Sequence, residues 1–287
     1  MNLGRLNKTA TQRKSAKRSR PKRKKSGGSP FRSLWALLLG GLLIAVAYVA
    51  VLYFFFVTPL SFRWRAMFGE TDYPEGEVMG IDISHYQATI DWERLRNAKI
   101  GDHPVSFVII KGTEGELLFD DNFNDNFFMA KENELVRGAY HFYVPDIDPR
   151  VQAKNFNHKV HLEVGDLPPI LDVESRGKKP LKEFQQDVLT CLRLFQERYG
   201  VPPIIYTGKS FKEDFLSAPE FDAYPLWIAH YYEKKMKYEG AWVLWQYTDC
   251  GKVDGIKGFV DFNLFNGDMK ALMALTIQPR TEEPTED

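Results

Sequence analysis

The chain has 287 residues, 44% hydrophobic and 14% aromatic, enough for a packed core and too apolar for a globally disordered protein. Its formal net charge of zero hides a segregation: residues 1–69 hold fourteen Lys or Arg and no acid, leaving 24 basic residues against all 38 acidic ones in 70–287. An acidic folded part argues against nucleic acid as a partner, because phosphate binding needs a basic footprint. Only two cysteines occur, Cys191 and Cys250, neither in a CxxC pair nor beside a His cluster, so no zinc site is indicated. Cys191 falls in the apolar helical run Val188, Leu189, Leu192, Phe195 and reads as buried; spacing leaves a disulfide between the two open.

Residues 5–32 carry twelve Lys or Arg among Ser, Thr, Pro and Gly without an apolar period. The segment 1–32 is therefore expected to be a disordered cytoplasmic tail. From Ser33 to Phe62 there is no Asp, Glu, Lys, Arg or His, and 34–57 is almost wholly apolar. About 20 such residues cross a bilayer as a helix, so 33–62 is expected to be one transmembrane helix. Tyr53 to Phe56 and Trp64 would sit toward one interface, and the basic block should keep the amino terminus cytoplasmic. That places the rest in the periplasm or outside the cell, as a single-pass membrane protein. A cleaved signal peptide is the alternative, but its apolar stretch usually runs to only about 7–15 residues. The polar, Gly- and Pro-containing stretch GETDYPEGE (69–77) makes 63–77 a linker. A globular domain follows over 78–275, then a loose acidic tail over 276–287.

Within the domain, short β-rich runs alternate with helical stretches. The expected strands are Met79–Ile83, Ser106–Lys111, Arg137–Tyr143, Pro169–Val173, Ile204–Tyr206, Leu226–Ala229, Val243–Tyr247 and Phe259–Phe262. Helices are expected at Trp92–Ala98, Asn122–Asn133, Pro149–Leu162, Leu181–Tyr199 and Ser210–Leu216. Continuously apolar strands imply a sheet covered on both faces, and eight of them with interleaved helices imply an α/β fold, a single-domain β/α (TIM-like) barrel. The connections after the sixth and seventh strands are too short for full helices, so the barrel should be irregular. In such folds chemistry collects at the carboxyl ends of the strands. Those ends carry Asp82, Lys111 with Glu114, His141 and Tyr143, Asp172 with Glu174, Tyr206, His230, Gln246 and Asp261.

Asp172 and Glu174 are two apart in a strand, so both should face the barrel mouth. Mutual repulsion and burial should raise at least one pKa, and a carboxyl kept protonated can protonate a leaving glycosidic oxygen. Taken alone, D-x-E fits equally well strand-end acids that cap the next helix or bind a cation. Asp82 lies between Ile81 and Ile83, and only the mouth accepts an acid there without a partner. Asp261 has the same character in the last strand, which neighbours the first in a closed barrel, so the two acids should face the D-x-E pair.

The segments GIDISHYQ (80–87), IIKGTEG (109–115), GAYHFY (138–143), PILDVE (169–174), IIYTG (204–208), LWIAHY (226–231), LWQYT (244–248) and VDFNLFNG (260–267) together resemble glycoside hydrolase family 25, the lysozyme or muramidase family. The likeness covers essentially all of 78–270 in the same order; Gly112 departs from the Ala often found in the family. The resemblance implies cleavage of the β-1,4 bond between N-acetylmuramic acid and N-acetylglucosamine in peptidoglycan. It implies Glu174 as general acid and Asp172 as the group orienting the 2-acetamido substituent during substrate-assisted attack. Asp82 and Asp261 would be the remaining acids around the reacting sugar.

Tyr206, Tyr143, Trp227, Trp245 and Tyr86 offer flat faces for pyranose rings, although the two tryptophans, set in apolar strands, fit core packing as well. His85, His141 and His230 could hydrogen-bond sugar hydroxyls, or serve as structural donors. Glu114 and Gln246 are stronger candidates, since an apolar strand leads straight into each. No cofactor and no metal is expected: there is no phosphate-cradling Gly loop and no H-E-x-x-H spacing. The expected partners are glycan strands and, through the helix, the lipid bilayer, with the chain a monomer. Two other readings stand beside hydrolysis of peptidoglycan at this point. One is a chitinase-like or endo-N-acetylglucosaminidase barrel, which usually has a longer acidic repeat than positions 165–171 offer. The other is a silent wall-binding domain, against which all four acids argue.

Overall fold

The computed structural model describes residues 30–56 and 73–279. Of the tail expected over 1–32, residues 1–29 lie outside the described residues, as do 57–72 and 280–287, while 30–32 belong to a helix.

Helix α1 spans Pro30–Phe56. Its described side chains are apolar and exposed on every side, with Leu37 74% and Ile44 73% accessible. The continuous run of described side chains, 37–52, is shorter than the ~20 residues that a span needs. Among the described residues no helix is long and apolar enough to cross a membrane, so the expected transmembrane helix over 33–62 is not shown.

The second unit is an eight-stranded barrel. Its strands are β1 (Met79–Ile83), β2 (His103–Glu114), β3 (Val136–Phe142), β4 (Ile170–Asp172), β5 (Ile204–Gly208), β6 (Leu226–Ala229), β7 (Leu244–Gly251) and β8 (Val260–Phe265). The ring closes because β1 pairs on one edge with β2, parallel, and on the other with β8, antiparallel. β8 also runs antiparallel to β7. The chain between Gly251 and Val260 is too short for the crossover of a dozen or more residues that a parallel partner requires, so it turns straight back. Two-residue strands at Lys99–Ile100 and Leu118–Phe119 extend β2 and were not expected from the sequence.

Helices α2 (Trp92–Arg96), α3 (Phe123–Glu132), α4 (Pro149–Lys159), α5 (Leu181–Tyr199) and α6 (Lys209–Phe215) lie between the strands, and α7 (Met269–Leu275) follows β8. Local signals set their limits. Asp91 accepts from the Arg94 N–H at the start of α2, and α4 begins on Asp148 followed by Pro149. α5 stops at Gly200, whose φ of 76° is a left-handed conformation that a side chain would oppose. No helix among the described residues follows β6 or β7.

Strand alternation sorts the core into two layers. Phe107, Ile109, Leu167, Ile170, Ile204 and Leu244 fill the barrel interior. Ile81, Ile110, Leu171, Ile205 and Ile228 point outward onto Phe156, Phe184, Leu192 and Phe195 of the helices. Phe156 and Phe195 stack at 4.6 Å between centroids and join α4 to α5. Gly112 lets the end of α4 come close, because a Cβ there would lie 2.8 Å from Val160 Cγ2.

Arg137 on β3 braces the amino end of the barrel. Its Nε donates to Asp166 Oδ1 at 2.6 Å, one terminal nitrogen donates to Phe127 O at 2.8 Å, and its guanidinium lies 3.9 Å from the Phe127 ring centre. Removing one member of a buried pair strands the other. Arg137→Ala should cost about 3–5 kcal/mol and lower the melting temperature by ~10 °C or more. Arg137→Met combined with Asp166→Leu should recover most of that loss in the same calorimetric scan.

Candidate active site

The carboxyl end of the barrel opens into a cleft of about 270 Å³ lined by Asp82, Asp172, Glu174 and Asp261. Asp82, next to last in β1, faces inward while Ile81 and Ile83 on either side pack outward, the arrangement that period-two alternation dictates. Asp261 reaches the same mouth from the amino end of β8, because that strand runs the other way, and it is the register partner of Asp82. The expectation that Asp261 lies at a strand's carboxyl end is thereby corrected; a reversed strand presents its first residues where its neighbours present their last.

Asp172 is the last residue of β4, not part of a longer strand through Val173. The chain nevertheless stays in line for one more residue. Val173 N–H donates to Tyr206 O at 2.9 Å, and Thr207 Oγ1 donates to Val173 O at 2.7 Å. Glu174 is thus delivered to the rim on the same side as Asp172.

A closed hydrogen-bond network fixes Asp82. Its Oδ2 accepts from Gln246 Nε2 at 2.8 Å and from Asn263 Nδ2 at 2.7 Å. Gln246 Oε1 in turn accepts from Tyr206 at 2.7 Å and Tyr231 at 2.6 Å. Trp227 Nε1 donates to Asn263 Oδ1 at 2.8 Å while its ring sits 4.4 Å from Tyr206. Each amide is thereby oriented, and Asp82 cannot swing away.

Asp172 is different. Its Oδ1 is buried and has no hydrogen-bond partner, an arrangement that costs folding free energy and marks a functional position. Burial first, then the charges of Glu174 and Asp82, push its pKa well above the usual carboxylate range; Lys111 pulls the other way. Burial also raises Glu174, offset by Tyr206 and Lys111, and its exposure at the rim lets water temper the rise. Asp82 and Asp261 stand opposite each other in the ladder and are both raised, chiefly by burial, which favours keeping a proton on the pair. Four carboxyls whose environments move them upward by different amounts can supply both a proton donor and an acceptor near neutral pH.

A family model described as glycosyl hydrolases family 25 matches residues 81–256. The chain belongs to that family. It is 44% identical over 196 residues to the YegX protein of Escherichia coli, covering 68% of this chain and 72% of the other. It is 32% identical over 213 residues to Lysozyme M1 of Streptomyces globisporus, covering 69% and 71%. The bacterial lysozyme of Streptomyces coelicolor superposes with a TM-score of 0.63 at 29% identity, over 70% of this chain and 97% of that one. This family 25 member is a glycoside hydrolase.

The other expected sugar-binding residues divide. Tyr206, Trp227, Gln246 and Tyr86 line the cleft, Tyr86 being 81% exposed at its lip. Tyr143 does not: it is buried against Phe184 at 6.3 Å, with its hydroxyl unpartnered. His141 likewise points outward, 2.7 Å from Thr113 Oγ1. On β3 the mouth-facing set is Tyr140 and Phe142, in phase with Gly138, whose Cα faces Leu167 of the interior. The sequence does not separate the two faces; the packing of Gly138 against Leu167 does. Trp245 belongs to the outer core, its Nε1 donating to His230 O. His85 lies beside the cleft with Nδ1 2.8 Å from Asp120 Oδ2. His230 is 3.9 Å from Glu233, outside the lining residues. Glu114 stands outside as well and holds Lys111 Nζ at 2.6 Å; Lys111 itself lines the cleft. Tyr231, Gln87 and Asn263 were not anticipated. Only Asn263 had a legible signal, two residues from Asp261 on the same strand face. Cys191 and Cys250 are both buried and are not joined in a disulfide.

A carboxyl raised above its unfolded value of about 3.9 favours folding below that pH and loses the contribution as pH rises through the folded value. The Asp82–Asp261 pair should therefore make the domain less stable toward the alkaline side. Asp261→Asn should raise the melting temperature at pH 8 by about 3–6 °C, or ~1–2 kcal/mol, and change little at pH 4. Thermal scans across pH check this; an equal gain at both pH values would dissolve the charge argument.

Proposed function

We propose that the chain hydrolyses the β-1,4 bond between N-acetylmuramic acid and N-acetylglucosamine in peptidoglycan, assisted by the substrate's own acetamido group. The observation that carries this reading is the buried, unpartnered Asp172 Oδ1 beside Glu174 in one cleft. An acetamido N–H placed at Asp172 would satisfy that oxygen and turn the carbonyl oxygen toward the anomeric carbon. Glu174, open to solvent at the rim and raised in pKa, donates its proton to the leaving glycosidic oxygen as the acetamido oxygen attacks. Water then opens the cyclic intermediate, giving its proton back to Glu174, and configuration is retained. Asp82, held by two amides, and Asp261 flank the sugar and balance positive charge at the anomeric centre. Tyr206, Trp227 and Tyr86 offer the stacking surface. The relative named Lysozyme M1 supports the substrate assignment.

We propose too that α1 is a membrane anchor with its basic flank in the cytoplasm, so that the barrel works in the periplasm or outside the cell. A helix apolar all round is either enclosed by protein or immersed in lipid, and the described side chains of α1 are exposed. Twelve basic residues in 5–32 against Arg63 and Arg65 on the other side of the helix support this orientation.

Glu174→Gln should lower turnover of purified peptidoglycan by about 10²–10⁴-fold while sedimentation with the wall persists. Muropeptide mass spectrometry on digests by the parent should find muramic acid at the reducing end. Reducing-end glucosamine would assign an endo-N-acetylglucosaminidase instead, and binding without release would leave a wall-binding domain. For the anchor, alkaline carbonate washing of membranes should leave the full chain in the pellet; release into the supernatant refutes it.

A further inference from the structure

β7 does not pair evenly with β8. Thr248 is opposite Phe262 and Gly251 is opposite Val260, so Asp249 and Cys250 together stand opposite Asp261. A bulge of this kind bends the strand, re-aims nearby side chains and recurs next to active sites. On its other edge Asp261 pairs with Asp82. Asp261 therefore has a carboxyl-bearing residue across each of its two ladders, although like charges facing one another weaken a sheet. Asp249 does not line the cleft.

The same short loop ties down both flanks. Tyr232 donates its hydroxyl hydrogen to Asp249 Oδ1, and its backbone N–H donates to Tyr247 O at 2.8 Å. Tyr232 has a φ of 63°, a left-handed conformation that is strained for a non-glycine residue and persists only where the surroundings enforce it. Its neighbour Tyr231 donates to Gln246 Oε1, the amide that holds Asp82. Loop 230–232 thus fixes the partners of Asp261 on both sides.

We propose that Asp249, locked by Tyr232 in the bulge opposite Asp261, is a positioning residue of the reaction: its carboxylate behind Asp261 keeps one proton on the Asp82–Asp261 pair. The cleft then presents a carboxyl and a carboxylate side by side, in place of two anions that would repel each other. This rests on the hydrolase reading above and adds a residue outside the sugar's reach. Across its ladders Asp261 has Asp82 from β1 and Asp249 with Cys250 from β7; Glu174 beyond β4 acts on it by charge, and its own charge acts on Tyr140 from β3 and Tyr231 from the loop. Burial holds Asp261 up first, and the charges of Asp82, Asp249 and Glu174 all act in the same direction. Without Asp249 the pair should release its proton at lower pH.

The test is the pH profile of kcat/KM on peptidoglycan for the full chain and its variants. Asp249→Asn should move the alkaline limb about one unit toward acid. Tyr232→Phe should move it the same way by less, and Asp249→Glu should restore it. A limb that stays in place in Asp249→Asn overturns the proposal, because a merely structural residue changes height and not position. A second readout needs no hydrolysis. Asp249→Asn should reduce the loss of thermal stability toward alkaline pH, and this change should vanish in an Asp261→Asn background. If it persists there, Asp249 does not act through Asp261. A parent that hydrolyses no glycan refutes the functional reading alone, and the stability comparison still judges Asp249. If Asp249→Asn fails to fold, Tyr232→Phe carries both measurements.

Discussion

The constraint on which the site depends is electrostatic: four carboxyls share one small mouth in a low-dielectric barrel. Water does not screen them there, so each must be paired, protonated or left to strain the fold. The chain uses all three solutions. Asp82 is paired with the amides of Gln246 and Asn263. Asp261 is pushed toward its protonated form by burial and by the charge of Asp82. Asp172 keeps an oxygen without a partner. Only Glu174, at the rim, has solvent to relieve it. The residue proposed as general acid is therefore the one member of the set in open contact with water.

How much of this was legible in the sequence follows from which physical signals are local. The eight strands were readable because a barrel strand is buried on both faces, and Met79–Ile83 and Leu226–Ala229 stand at their expected ends. The two-residue strands at Lys99–Ile100 and Leu118–Phe119 were not, since two residues carry no period. The acids were readable because an Asp between isoleucines has few tolerable positions. Which face of β3 looks into the mouth was misjudged: Tyr140, His141, Phe142 and Tyr143 are all plausible at either place, and only packing against Leu167 separates them. Glu114 and His85 were expected to meet sugar and instead hold Lys111 and meet Asp120. A charged residue next to a site often serves another charged residue, and sequence spacing does not distinguish the two uses.

The reversed last strand is what makes the acid pair possible. In an all-parallel barrel the first and last strands would bring their carboxyl ends together and place Asp261, near the amino end of its own strand, at the far end of the barrel. The short connection after Gly251 prevents that topology and sets Asp261 directly across from Asp82. The same tight return accommodates the bulge at Asp249 and Cys250. Loop length, barrel topology and the protonation chemistry of the mouth are consequences of one another here.

Cavity size does not select the site in this protein. A larger cavity, about 510 Å³, lies among Ile205 of β5, Leu226 of β6, Phe221, Tyr224, Tyr238 and Trp242. Its buried cation, Lys212, already donates to Leu216 O at 2.6 Å and has Asp222 at 3.6 Å. Those partners leave that lysine little reason to seek a ligand. In the smaller cleft the balance is reversed: a buried carboxylate oxygen lacks a donor, and three further acids stand beside it. Unsatisfied polarity beside a rigid network, and not volume, is what distinguishes the candidate site.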